Sequence, residues 1–173
     1  MHCLGKVLIV YFSSQSKENK TSEDKVADKL ESIFSQTHTV KKVLLQSVKK
    51  LSLKEQFKLE KELKLNVDSD IVNEFDLVII GSPTMGSLTS SPVVNSFLRA
   101  LGKQSESKAS PKYALFSTGI ITGFAIKKMQ SLLSMKGIKP IESASFTSIF
   151  DFNEKKMSEV VEFARKLSQI FEV

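Results

Sequence analysis

The sequence predicts an α/β fold: a doubly wound, five-stranded parallel sheet with helices on both faces. Three observations carry this. Two apolar runs, Val7–Phe12 and Leu77–Ile80, show no polar alternation, as strands buried on both faces do. Stripes of apolar residues at helical spacing follow the strand candidates. The two kinds of segment alternate from one end of the chain to the other, which implies right-handed crossovers between parallel strands.

The first unit opens with Lys6–Phe12 as a strand and continues into a polar loop, Ser13–Thr21. Thr21 and Ser22 are both N-cap candidates, and Thr21-x-x-Asp24 has the spacing of a capping box. Val26, Ala27, Leu30, Ile33 and Phe34 then fall on one helical stripe. Thr39–Gln46 reads as a second strand, and Lys41 and Lys42 suit a sheet edge, where lysine discourages stray pairing. Leu51–Leu65 is lysine-rich and helical in pattern, and Asp70–Phe75 closes that connection. Asp76–Ile80 is the third strand. Gly81–Gly86 is expected to be a turn, because Pro83 cannot extend a central strand. Pro92 opens a helix with Val93, Val94, Phe97, Leu98 and Leu101 on its apolar side. Lys112–Phe116 is the fourth strand, followed by a loop, Ser117–Gly123. Phe124, Ile126, Met129, Leu132 and Leu133 mark the next helix, ending near Gly137. Ile138–Ile149 is the fifth strand. Glu154–Phe171 is the last helix, with Met157, Val160, Val161, Ala164, Leu167 and Ile170 expected to face inward.

Composition sets the class. The chain has 173 residues, 41% hydrophobic and 25% charged, which fits one domain over residues 1–173 with its own core. One cysteine, Cys3, excludes an internal disulfide, and two histidines, His2 and His38, leave few partners for a zinc cluster or a hydrolytic triad. The first apolar run is too short for a signal peptide, and no stretch approaches the roughly 18 apolar residues of a membrane span. A cytoplasmic protein is expected, with no membrane or nucleic-acid partner. The formal charge of +6 favours anionic partners.

Ligands of open α/β sheets bind beyond the carboxyl ends of the strands, where the winding reverses. Three loops would converge there: 13–21, 82–91 and 117–123. The first offers four Ser or Thr hydroxyls, Asn19, two lysines and a helix N-terminus, donors suited to a phosphate; a solvated turn with a capped helix accounts for them equally. The second joins a fixed proline to a permissive glycine and can present backbone amides to a flat heterocycle. The third has Gly119 and Gly123, which allow close backbone approach. Walker A, HExxH, CxxC and GxGxxG patterns are absent from the sequence.

The stretch Asn73–Thr84, with Pro92–Leu98 behind it, Tyr113–Gly119 and Lys136–Glu142 together resemble the flavodoxin family, and the resemblance runs from Lys6 to about Phe171. It implies a flavodoxin-like strand order 2-1-3-4-5 and a noncovalent FMN. By that resemblance Ser14, Ser16, Asn19 and Thr21 would hold the phosphate, with Ser13 and Gln15 of the same loop also at the cofactor. Ser82, Pro83, Thr84, Met85 and Gly86 would meet the ribityl chain and ring, and Ser117, Thr118 and Gly119 the pyrimidine side. Met85, Leu88, Ile120 or Phe124 would flank the ring, since there is no Trp and neither tyrosine lies in a ring loop. The first loop has no glycine, unlike the family's phosphate loop. The implied function is electron transfer rather than stand-alone catalysis, as a monomer or homodimer. A basic carrier would suit an acidic, ferredoxin-like redox partner. The alternatives on this fold are an FMN-dependent NAD(P)H:quinone-type reductase and a binding module without flavin.

Overall fold

The computed structural model describes residues 5–13, 20–86, 89–104, 109–147 and 153–171. Its elements run β1 (Lys6–Tyr11), α1 (Ser22–Phe34), β2 (Thr39–Leu44), α2 (Leu53–Lys58), β3 (Leu77–Met85), β4 (Thr89–Ser90), α3 (Pro92–Ala100), β5 (Lys112–Gly119), α4 (Gly123–Ser134), β6 (Glu142–Thr147) and α5 (Glu154–Phe171). Five strands are parallel in the order β2-β1-β3-β5-β6, and the two-residue β4 pairs antiparallel with the end of β3. Leaving out β4, this is the expected order, with β2 and its lysines at an edge. Lys42 folds back onto α1, where it pairs with Asp28 and, at 2.7 Å, with Glu31.

Parity within the strands explains the unbroken apolar runs. Leu8, Val10, Val78, Ile80 and Leu115 lie in the core cluster under α3 and α4. Val7, Ile9, Leu77, Ile79, Ala114 and Phe116 lie in the one under α1 and α5. Alternate side chains of a strand leave opposite faces, so strands covered on both sides must be apolar at every position. The inward face of α5 is narrower than expected. Val160, Ala164 and Leu167 are fully buried, whereas Val161 and Ile170 are exposed. Val161 is one residue, about 100°, round the helix from Val160 and cannot share its face.

Two segments depart from the sequence reading. Gly81–Gly86 is not a turn: β3 continues through Pro83 to Met85. The Gly81 carbonyl accepts from the Phe12 N–H at 3.2 Å, and Tyr11–Gly81 is the last β1–β3 pair. Residue 83 points its backbone the same way as residue 81, past the point where β1 has left. The missing proline N–H therefore loses no partner, and pairing with β5 continues to Pro83–Thr118. The second departure is the connection 51–65. The helix there is only Leu53–Lys58, followed by a short 3-10 turn, and none of its residues is buried. The chain then returns extended: Val48 N–H donates to the Lys64 carbonyl at 2.8 Å and Asn66 N–H to Gln46 at 3.0 Å. That return puts Leu63 and Leu65 onto the core under α3, which a helix continued to Leu65 would not allow. Asp70–Phe75 closes this connection, as expected, in a 3-10 helix over Ser69–Glu74. The fifth strand, β6, is also shorter than read, beginning at Glu142 after Pro140.

Gly81 is fixed by packing. A Cβ there would stand 2.0 Å from Cζ of Phe116, its cross-strand partner. Phe116 packs on Phe146 (ring centroids 6.4 Å apart), and Phe146 on Phe163 of α5 (5.8 Å). Gly81→Ala is expected to destabilise the fold by roughly 1–3 kcal/mol or more, as overpacking does. Adding Phe116→Leu should recover part of that loss, read as a non-additive shift in the urea midpoint.

Candidate functional site

The winding reverses between β1 and β3: the chain leaves β1 for the edge strand β2, then returns to lay down β3, β5 and β6 on the other side. Because β3 and β5 stay paired two residues beyond the last β1–β3 rung, their backbones overhang the end of β1. The start of α1 stands beside this overhang. Of the residues expected at the site, Ser14, Gln15, Ser16 and Asn19, together with Leu88, lie outside the described residues. The others fall into two groups.

The first group surrounds Asp24. Thr21 is the N-cap of α1, and the expected capping box is present. Asp24 Oδ2 accepts from the Thr21 N–H at 2.9 Å, the Thr21 hydroxyl at 2.9 Å and the Ser13 hydroxyl at 3.1 Å. Ser13 Oγ and Thr21 Oγ1 are also 2.7 Å apart. Whichever hydroxyl donates across that contact, both protons are used inside the cluster. Tyr11 donates to Asp24 Oδ1 at 3.2 Å. Partial burial pushes the Asp24 carboxyl up, but the Thr21 N–H and hydroxyl, Ser13 and Tyr11 outweigh it and hold it below the usual carboxylate range. Burial, reinforced by the Asp24 charge, pushes the Tyr11 phenol up to about 12. One residue earlier, Glu23 is buried and accepts from the Thr118 hydroxyl at 2.6 Å, tying the first turn of α1 to the end of β5.

The second group is built from β3, β5 and the segments after them. Ser82 is fully buried, and its hydroxyl donates to the Pro83 carbonyl (2.9 Å) and accepts from the Ser91 N–H (2.8 Å). That pins β4 and the N-cap of α3 against β3. The Ser117 hydroxyl donates to the Thr122 carbonyl at 2.9 Å. These two side chains brace the segments at the ends of β3 and β5 from within. Thr84 differs: its Oγ1 is buried and has no hydrogen-bond partner. Gly119 lies beside it, with φ 123°, and a Cβ there would come within 3.6 Å of Thr84 Cβ. The two loops therefore meet at Thr84 and Gly119, and only glycine takes that backbone conformation without strain. Met85 is nearly buried at the end of β3, and Gly86 is exposed. Beyond β5, Ile120 is 64% exposed and Ile121 and Phe124 about half exposed, a cluster of apolar side chains at the rim. On the β2 side, an open cleft of about 350 Å³ adjoins Ser13 and is lined by Phe12, Gln46, Lys49, Lys50 and Gln56.

Tyr11 and Glu23 were not picked out by the sequence. Tyr11 reads as the end of a buried strand. Glu23 meets Thr118 across 95 residues of chain, a pairing with no local signal. Among the described residues no cluster of His, Cys, Asp and Glu could hold a metal ion, and no helix is long and apolar enough to cross a membrane.

The path β2-β1-β3-β5-β6, with its loops meeting at the reversal, decides the fold. The chain has a flavodoxin-like fold. Oxidised flavodoxin 1 from Bacillus cereus matches with a TM-score of 0.64 at 13% identity, covering 95% of this chain and 98% of that one. Megasphaera elsdenii flavodoxin in its two-electron reduced form matches at 0.59 and 22% identity, over 92% and 98%. An NAD(P)H:quinone oxidoreductase from Methanothermobacter marburgensis matches at 0.62 and 14% identity, over 98% of each chain. No protein-family model matches the sequence, and no curated protein matches it.

The Asp24 cluster has a measurable signature. Because the folded state holds Asp24 below its unfolded value, the cluster's stabilisation is complete above about pH 4 and is lost as the pH falls through the lowered value. Asp24→Asn should be less stable than the parent at pH 7, with the gap narrowing as the pH drops below 4. Urea midpoints measured between pH 3 and 7 check this; a gap constant with pH would contradict it.

Proposed function

We propose that this chain binds FMN noncovalently at the carboxyl edge of its sheet and acts as a cytoplasmic electron carrier. The observation that carries the reading is the ring end of the site. Thr84 Oγ1 is a buried hydroxyl with no partner, placed where two backbone segments overhang the sheet. A flat heteroaromatic ring with polar edges would supply the partner, and backbone amides of 82–86 and 117–119 would meet its edge. Ile120 and Phe124 supply apolar surface at the rim, a place where no Trp or Tyr is needed to cover a ring. The residues at this end fit a flavin. At the tail end, Ser13 and Thr21, with Ser14, Gln15, Ser16 and Asn19 of the same loop, would face the ribityl chain and phosphate.

When bound, FMN takes up and releases one or two electrons. The chain's own part is to orient the ring and set its exposure. Ser82 and Ser117 hold the two loops in place, and Gly119 lets them close on each other. None of these side chains is asked to act as an acid or base. The charge of +6 fits a redox partner with an acidic face, a ferredoxin-like protein being the natural class.

The open rim favours one second reading. With Ile120 and Phe124 exposed, a ring bound there would be accessible to a small oxidant, as an NAD(P)H:quinone-type reductase requires. Titration of the apoprotein with FMN, followed by absorption and fluorescence, should give a saturable spectral shift. Ile120→Asp should weaken it about tenfold by setting a charge against an apolar face. A spectrum unchanged by excess FMN would refute the flavin reading. Bleaching by NAD(P)H with no second protein present would favour the reductase over the carrier.

A further inference from the structure

The connection between β2 and β3 leaves apolar side chains uncovered: Val48 is 66% exposed and Leu59 38%. With Leu51 and Leu63 they line a cleft of about 490 Å³. We propose that this cleft binds a small apolar carboxylate, a molecule with a hydrocarbon body and one acidic head. The proposal goes beyond the flavin reading and does not depend on it.

The walls of the cleft are fixed on every side. Ser47 stands opposite Leu65 in an antiparallel bridge, and the Val48 N–H donates to the Lys64 carbonyl at 2.8 Å. Asn66 holds the base of this ribbon: its Oδ1 accepts from the Gln46 N–H and its Nδ2 donates to the Leu44 carbonyl, both at 2.9 Å. A capping box between Ser52 and Glu55 starts α2, and Gln56 Nε2 donates back to the Leu51 carbonyl at 3.1 Å. The 3-10 turn after α2 is tied to α3, because Glu60 accepts from Asn95 Nδ2 at 2.6 Å and from Arg99 Nη2 at 3.1 Å. Between these fixings the chain stands around an apolar hollow, within the range of about 300–1,000 Å³ that small-molecule sites occupy. A hollow suits a ligand that enters it; a flat protein or lipid surface would ask for side chains that protrude.

Charge selects the head. Lys49 and Lys64 line the cleft, and Glu62 lines it too. Among the described residues neither lysine is in an ion pair. The other two acids of this connection are committed elsewhere, Glu55 to the cap of α2 and Glu60 to Arg99. The lining therefore carries two positive charges against one negative. Lysine stems lie readily along an apolar wall while their ammonium groups stay in water, which is the arrangement an amphiphilic acid needs. Both lysines are exposed, so they select the head modestly, and salt weakens the selection. A neutral head gains nothing from them, and a cationic head is repelled.

The test titrates the isotopically labelled full chain with octanoate, octanol and octylammonium, which share a body and differ in the head, and follows the amide chemical shifts. Octanoate is expected to give saturable shifts in residues 47–51 and 59–64 and to bind about three- to tenfold tighter than octanol, with octylammonium weaker than either. The preference for octanoate over octanol should shrink in about 0.5 M salt and disappear in the double variant Lys49→Glu, Lys64→Glu. Leu59→Ser, a change at a half-exposed position, should weaken octanoate and octanol alike, by about fivefold. Octanoate giving no saturable shift in these residues overturns the proposal, and so does equal affinity for the acid and the ammonium. Shifts in the same residues that grow with protein concentration before any ligand is added would give the cleft to a second copy of this chain and overturn it too. The flavin reading is tested by the FMN titration alone, so failure here leaves it standing.

Discussion

The packing of Phe116 across the bare backbone of Gly81 is the constraint on which the upper half of the molecule depends. Both residues lie in central strands, opposite one another in the β3–β5 register. A one-residue slip would send Phe116 to the other face, away from Phe146 and α5. The same contact explains how a central strand comes to hold a glycine, which elsewhere weakens a sheet. With the register fixed, the ends of β3 and β5 must overhang β1. Pro83 is tolerated there, and Thr84 and Gly119 are brought together. The overhanging end of the sheet is thus a consequence of aromatic packing some residues below it, not of any interaction within the site.

A second, polar constraint closes the other side. Tyr11, Ser13, Thr21 and Asp24 form one connected group joining the end of β1 to the start of α1. It ties the first crossover in place at a point where β1 has lost its neighbour. Capping and carboxylate hydrogen bonds of this sort contribute on the order of 1–2 kcal/mol each. The Ser13 and Thr21 hydroxyls are thereby committed to holding the helix start.

The parts of the fold legible in the sequence were those set by burial. Val7–Tyr11 and Leu77–Ile80 could only be strands covered on both faces, and Thr21 with Asp24 announced the start of α1. What escaped was set by tertiary context. Pro83 read as a breaker because nothing in sequence tells which neighbour a strand has already lost. The leucines at 51–65 have helical spacing, yet Leu53 and Leu59 stay exposed, and Leu63 and Leu65 reach the core on an extended return against residues 46–48. For the candidate site, residue types singled out the loops at the carboxyl end of the sheet but not which way their hydroxyls point. Ser82 and Ser117 turn inward to brace the loops, Thr118 binds Glu23, and among the described residues expected at the site Thr84 has a buried hydroxyl without a partner.

That division bears on how a chain can keep this fold at identities of 13–22% to its structural neighbours. The sheet asks only for apolar side chains at successive strand positions, a requirement many sequences meet. The meeting of the β3 and β5 ends asks mostly for backbone in the right place, secured by Gly119 and by the bracing side chains of Ser82 and Ser117. Backbone recognition leaves little trace in residue identity, so a sequence can drift far while this surface persists. A phosphate cradle is different, because it depends on particular side chains and on the charge around them.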